Sequence, residues 1–192
     1  MNQSIKLVGV GGQGTILAAK LISTALIQAG YDVKMSEIHG MSQRGGSVSS
    51  EIRYGDKVYS PVIEKGHADV IVAFEQMEAA RYIDYLKPDG TLLLNDHKIN
   101  SMLTLSGKQP YPQGIIETLS QQVKTVVLKG TKLAEQLGNA KAMNVIMVGA
   151  LAQVMGLTDL DFAAAIRENV KPKYVDLNLK AFDIGLQHSL HS

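Results

Sequence analysis

Apolar positions along this chain switch between short unbroken runs and stretches that repeat every three or four residues. Residues 4–10 form a run rich in Ile, Leu and Val, which predicts a buried strand. Between Gly14 and Ala29 the residues Ile16, Leu17, Leu21, Ala25 and Leu26 recur at helical steps, and Gly30 supplies the stop. Residues 32–38 read as a second strand. The chain is therefore expected to open as a βαβ unit of the usual right-handed kind.

After Gly46 the rhythm changes. Val48, Ser50, Ile52 and Tyr54 alternate with Ser47, Ser49, Glu51 and Arg53, the pattern of a strand with one wet face. Gly55-Asp56 suits a tight turn into residues 57–60, so a β-hairpin is expected to interrupt the α/β order before Pro61. Residues 69–74 predict a buried strand, Glu75 opens a helix to about Leu86, Lys87-Pro88-Asp89-Gly90 reads as a turn, and residues 91–94 as a strand. Residues 97–114 contain Gly107, Pro110 and Pro112 without a period, and are expected to form a loop or irregular lid. Further on, residues 115–122 predict a helix and 125–128 a strand. Residues 131–137, 144–155, 159–169 and 177–187 predict helices, with Asn144 and Thr158 or Asp159 as caps; residues 188–192 are expected to fray. The whole, residues 1–192, is expected to be one α/β domain: a mostly parallel sheet with an inserted β-hairpin and a helical C-terminal third.

Composition narrows the classes. A chain of 192 residues that is 45% apolar can bury a sizeable core, and a net charge of +1 gives no sign of a nucleic-acid or polybasic membrane surface. There is no Cys. That excludes a thiolate-held iron–sulfur cluster, a Cys zinc site, a disulfide or a Cys nucleophile on this chain, and fits a reducing compartment. Lys6 is the sole basic residue near the start and glycines cut the first apolar run, so no signal peptide is expected. The apolar stretch 145–157 includes Gln153 and is too short to span a bilayer. A cytoplasmic protein without membrane or nucleic-acid partners is the expectation. The 8 Met against no Trp fit either an adaptable partner surface or ordinary core.

Candidate chemistry sits in two glycine-rich turns. The first, Gly9-Val10-Gly11-Gly12-Gln13-Gly14, follows the first strand; the second, His39-Gly40-Met41-Ser42-Gln43-Arg44-Gly45-Gly46, follows the second. Both would lie at the C-terminal edge of parallel strands, where ligands of open α/β sheets bind. Gly9, Gly11, Gly12, Gln13 and Gly14 with Ser42, Arg44, Gly45 and Gly46 would form a ledge of backbone N–H groups and one cation, suited to phosphate or another anion. Gly9, Gly11 and Gly14 also have the spacing of the dinucleotide fingerprint of Rossmann-like folds, with Glu37 as the candidate ribose acid. The bland readings are a tight β–α turn without ligand and a flexible loop before the hairpin. Glu75, Glu78 and Asp96 near strand ends are either acid–base groups or helix caps. His39, His67, His97, His188 and His191 are scattered, so no metal site is expected. Neither a Walker lysine nor a Gly-x-Ser-x-Gly elbow is present. From the residues alone no reaction can be named.

A resemblance adds to this. Gly9 to Gly14, then Glu37 to Val48, resemble the gamma-type domain of the 2-oxoacid:ferredoxin oxidoreductases. Val58-Tyr59-Ser60-Pro61, Ala68-Asp69-Val70, Phe74-Glu75, Glu78-Ala79, Arg81-Tyr82 and Lys87-Pro88-Asp89-Gly90 follow in register. So do Asn144 with Gly149-Ala150, and Asn178-Leu179-Lys180-Ala181-Phe182. Within the family, the stretch His39 to Gly46 is similar to the small subunits of the branch acting on indolepyruvate and other aryl pyruvates. The resemblance implies a small subunit that carries no catalytic residue and is inactive alone. It implies a large alpha subunit holding thiamine diphosphate, Mg and [4Fe-4S] clusters, ferredoxin as electron acceptor, and CoA as co-substrate. A chain expressed alone is expected to cover its partner surface with a second copy. The alternatives are a gamma subunit for pyruvate, 2-oxoglutarate or branched-chain 2-oxoacids, a stand-alone NAD(P)- or nucleotide-binding protein, and a scaffold without ligand.

Overall fold

The computed structural model describes residues 2–39 and 45–188. Six strands form one sheet: β1 (Gln3–Val10), β2 (Asp32–His39), β3 (Ser47–Gly55), β4 (Ala68–Ala73), β5 (Leu86–Asn95) and β6 (Lys124–Leu128). Their order is β2-β3-β1-β4-β5-β6. β1, β4, β5 and β6 pair in parallel, while β3 runs antiparallel to both β1 and β2. The helices are α1 (Thr15–Gln28), α2 (Gln76–Tyr82), α3 (Met102–Leu105), α4 (Ile115–Gln122), α5 (Gly130–Gln136), α6 (Met143–Val154), α7 (Phe162–Asn169) and α8 (Val175–His188). One face of the sheet packs on α1, α6, α7 and α8 through Ile5, Leu7, Ile52, Val72 and Leu93. The other packs on α2 and α4 through Val8, Ile71, Ala73, Leu92 and Leu94. The expected α/β sheet, mostly parallel, is present, and among the described residues no helix is long and apolar enough to cross a membrane.

The first half departs from expectation in its pairing. β1 and β2 are parallel but not neighbours, because β3 inserts between them. The hairpin partner of β3 is β2, from Asp32 opposite Gly55 to His39 opposite Val48. Residues 57–60 form no strand. They are tied down by the Val58 N–H donating to the Asp32 carboxylate at 2.9 Å and by Asn2 Nδ2 donating to the Lys57 carbonyl at 2.9 Å. Nor does β3 have a wet face, since Ser49, Ser50 and Glu51 are all buried. A strand with neighbours on both sides, α1 over one face and the Ile63 backbone bonded to Glu51 on the other, buries its polar residues too. It does so here by pairing Glu51 with Lys6, directly opposite on β1, at 2.6 Å.

Smaller corrections follow from local chemistry. The predicted turn at Lys87-Pro88-Asp89-Gly90 is absorbed into β5, whose register shifts by a bulge between Ala68 and Val70. The shift leaves Asp69 free to accept hydrogen bonds from the Ser4 N–H and Lys87 Nζ. The cap of α7 is Asp161, which accepts from the Ala164 N–H at 2.8 Å, rather than Thr158 or Asp159. Asn144 lies inside α6 instead of capping it. In the expected loop 97–114 only α3 is regular among the described residues.

Candidate functional site

The C-terminal ends of β1, β4, β5 and β6 meet the starts of α1, α2, α5 and α6, and side-chain amides hold these ends together. Asn95, fully buried at the end of β5, donates to the Phe74 carbonyl at 3.0 Å and to Thr131 Oγ1 at 3.0 Å; its own oxygen accepts from the Thr131 N–H. Gln13 accepts from the Val10 N–H at 2.8 Å and donates to the same Phe74 carbonyl at 2.9 Å. Asn144 donates to the Gly14 carbonyl at 3.1 Å, tying the first glycine turn to α6. In sequence Asn144 reads as a cap and as part of the family resemblance, and Asn95 carries no assigned role. Their role depends on partners 21 to 130 residues away in the chain, which no local pattern records.

The two glycine turns meet. The Gly11 N–H donates to the Gly46 carbonyl at 2.8 Å, and the Gly45 N–H donates back to the Gly11 carbonyl at 3.3 Å. The same bonds change the expected ledge, because two of its donors are spent on latching one turn to the other. Gln13 is likewise structural. The Gly12 and Gly14 N–H groups have no hydrogen-bond partner among the described residues, and they precede the uncapped first turn of α1. Gly12 and Gly14 take φ values of 104° and 81°, the left-handed region that glycine alone enters without strain. A Cβ on Gly14 would also stand 2.4 Å from Asn144 Nδ2. Gly9, at the strand end, is packed against Gln13, Thr15 and Phe74. Ser42 and Arg44 lie outside the described residues.

Two clefts open on this edge. One, of about 530 Å³, is lined by Gly12, Gly14, His97, Thr131, Lys141 and Asn144, among others. It adds Lys141 and His97 to the ledge, two groups that the sequence reading did not assign to it. The other, of about 370 Å³, lies beyond Gly45 and Ser47 and is walled by Glu75, Glu78, Arg81 and Tyr111. Its carboxylates are committed. Glu75 caps α2 by accepting from the Glu78 N–H at 3.0 Å, and it also accepts from the Ile99 N–H and the Tyr111 hydroxyl. Glu78 accepts from Ser47 Oγ and from Arg81 Nε. Asp96 accepts from Gln76 Nε2 at 2.9 Å. Of the two readings open for these acids, capping and loop anchoring is the one the geometry supports. Burial, with the Glu75 carboxylate beside it, pushes the Tyr111 phenol well above its usual range, so Tyr111 stays a neutral donor that pins the 97–114 segment.

The dinucleotide arrangement is not met. That fingerprint needs β2 beside β1, so that the acid at its end reaches the ribose. Here β3 separates them, which sets Glu37 two strand spacings from β1, roughly 10 Å.

The family described as pyruvate ferredoxin/flavodoxin oxidoreductase matches residues 4–188. The indolepyruvate oxidoreductase subunit IorB of Pyrococcus horikoshii is 42% identical, over 96% of this chain and 94% of that protein. The 2-oxoglutarate synthase subunit KorC of Methanothermobacter marburgensis is 28% identical over 96% of this chain and 95% of its own. Among solved structures, the gamma subunit of a keto/oxoacid ferredoxin oxidoreductase from Geobacter sulfurreducens superposes with a TM-score of 0.75. It is 26% identical, and the match covers 99% of each chain.

Proposed function

Because the chain belongs to the pyruvate ferredoxin/flavodoxin oxidoreductase family, we propose that it is the small subunit of an indolepyruvate-type 2-oxoacid:ferredoxin oxidoreductase. The enzyme would oxidatively decarboxylate an aryl 2-oxoacid to its acyl-CoA and pass the electrons to ferredoxin. The full-length match to the Pyrococcus subunit carries this reading, and its margin over the 2-oxoglutarate relative favours the aryl substrate. This chain has no cysteine and cannot ligate an iron–sulfur cluster through thiolates, so the clusters belong on a large subunit. That subunit would also hold thiamine diphosphate and Mg, which supply the decarboxylation chemistry when bound. The complex would work in the cytoplasm.

The part left to this chain is binding and positioning. The Gly12 and Gly14 N–H groups and the start of α1 offer donors and the positive end of a helix dipole to a CoA phosphate, with Lys141 on the wall of the same cleft. Arg44, next in sequence to the latched Gly45, would supply a charge-assisted pair. Gly9, Gly11, Gln13, Gly45 and Gly46 then act by shaping and locking the ledge. When no large subunit is present, the exposed partner surface would be covered by a second copy of the chain.

Coexpression of this chain with its large subunit tests the reading. Indolepyruvate- and CoA-dependent viologen reduction is expected from the pair and from neither chain alone, with lower kcat/KM for 2-oxoglutarate and pyruvate. Turnover by this chain alone overturns the division of labour; preference for another oxoacid overturns the aryl assignment. Arg44→Ala is expected to raise the KM for CoA roughly tenfold to a hundredfold, the worth of one charge-assisted hydrogen bond. Loss of subunit association instead would make the loop a docking element.

A further inference from the structure

The edge of the sheet opposite the glycine turns carries a small cleft of about 290 Å³. Its floor is Ser4, near the start of β1, with Arg53 directly opposite on β3; Asn2, Glu64, His67 and Lys87 complete its polar lining. The sheet gives Arg53 no acid. Its other cross-strand neighbour, on β2, is Lys34, and like charges directly opposite repel. Lys34 is held by Asp32 and Lys87 by Asp69, but Arg53 has no carboxylate within ion-pair distance among the described residues. Its guanidinium reaches the Ser60 and Val62 carbonyls through one nitrogen, both at a long 3.4 Å. Ser4 is 6% exposed; its N–H donates to Asp69, while its hydroxyl has no hydrogen-bond partner among the described residues and is reachable from the cleft. The Asp69 carboxylate accepts from the Ser4 N–H on one oxygen and from Lys87 Nζ on the other, which draws that ammonium toward Ser4 from the β5 side. With β1 lying between β3 and β5 in the sheet, a nearly buried hydroxyl stands between a guanidinium and an ammonium that approach from opposite sides.

Donors on several sides of one point suit a tetrahedral oxyanion better than a planar carboxylate, which a single guanidinium fork can satisfy alone. We infer that this cleft binds a phosphate group, its oxygens shared among the Arg53 guanidinium, the Ser4 hydroxyl and the Lys87 ammonium. Asp69 stays bonded to Lys87 and the Ser4 N–H, so it fixes the ammonium in place and its own charge is answered. The cleft is wider than one phosphate and continues toward Asn2 and His67, leaving room for a small organic substituent. Glu64, the one carboxylate on the lining, is exposed; its charge weakens the binding of any anion, which makes it a probe of the site. The site stands apart from the first glycine turn by the length of β1 from Ser4 to Gly9, roughly 17 Å. Its test therefore does not pass through the proposed reaction.

Calorimetric titration of the full chain with inorganic phosphate, in a chloride buffer of fixed ionic strength, tests this, with glycerol 3-phosphate and succinate as companion probes. Saturable binding of one phosphate per chain is expected, with a Kd of about 1 mM or tighter, and succinate is expected to bind at least about tenfold more weakly. Tighter binding of glycerol 3-phosphate than of phosphate assigns the site to a small phosphomonoester; equal or weaker binding assigns it to the free ion. Arg53→Gln is expected to weaken phosphate binding at least about tenfold, the worth of one charge-assisted hydrogen bond. Glu64→Gln, a change at an exposed position, is expected to tighten it about two- to fivefold. Lys173→Gln removes a charge outside the cleft and is expected to change nothing. Absence of saturable binding by the parent, or succinate held as tightly as phosphate, overturns the assignment. So does a phosphate affinity that Glu64→Gln leaves unmoved, a result that stands even if Arg53→Gln fails to fold.

Discussion

The buried pair of Lys6 and Glu51 gives a sharp test of how this sheet is held. The two side chains are 2% and 4% exposed and 2.6 Å apart, in the middle of the sheet. The ammonium also stands 4.2 Å from the centroid of Tyr85 and 5.2 Å from that of Tyr82, while the second Glu51 oxygen accepts from the Ile63 N–H at 3.3 Å. Lys6→Met keeps the length of the side chain and removes the charge. It strands a carboxylate in the core, and removing one partner of a buried pair costs about 3–5 kcal/mol. Adding Glu51→Gln removes the stranded charge and keeps an acceptor for Ile63. What remains is one imperfectly bonded amide, worth about 1–3 kcal/mol. The double variant is therefore expected to be more stable than Lys6→Met alone, by roughly 2 kcal/mol, the non-additivity expected of contacting groups. Urea unfolding of the three variants and the parent, at one protein concentration, reads this directly. A double variant as unstable as the sum of the singles would refute the reasoning, and would mean that the pair is not desolvated in solution.

Two further predictions rest on close contacts elsewhere. A Cβ on Gly185 would stand 2.0 Å from the Ile146 carbonyl oxygen, and one on Gly149 would stand 2.1 Å from that of Phe182. Gly185→Ala should therefore lower Tm by several degrees despite alanine's advantage of about 1 kcal/mol in helices, because backbone cannot rotate aside; a rise in Tm would count against the tight crossing of α6 and α8. Tyr111→Phe should destabilise by about 1–2 kcal/mol and speed amide exchange in residues 99–112, because it removes the donor to Glu75 and the acceptor for the Met77 N–H. As the phenol is raised above its usual 10, its contribution is complete below that pH and is lost as pH rises through the folded value; a parent-to-variant difference that grew with pH would contradict it.

Much of this protein was legible from its chain alone. The strands β1, β4 and β6, the helix α1 and its glycine stop, and the two glycine turns all follow from period and turn chemistry, which act over a few residues. So did the chain's inability to ligate a cluster through thiolates, since composition needs no fold. The family emerged from several motifs in register rather than from one fingerprint. Tertiary structure decided the rest, wherever the deciding partner is distant in sequence. Alternation in β3 looked like a wet face because Ser49 and Glu51 are polar, but pairing on both edges buried them and made Lys6 the answer to Glu51. Strand order was equally hidden, since the β2–β3 hairpin can lie outside or inside β1 with the same local pattern, and only the inside arrangement moves Glu37 away from the glycine edge. The donors of the ledge were divided the same way. Sequence supplied the glycines, whereas the meeting of the two turns determined that Gly11 and Gly45 bond to one another's turn and that Gly12 and Gly14 remain to face the cleft.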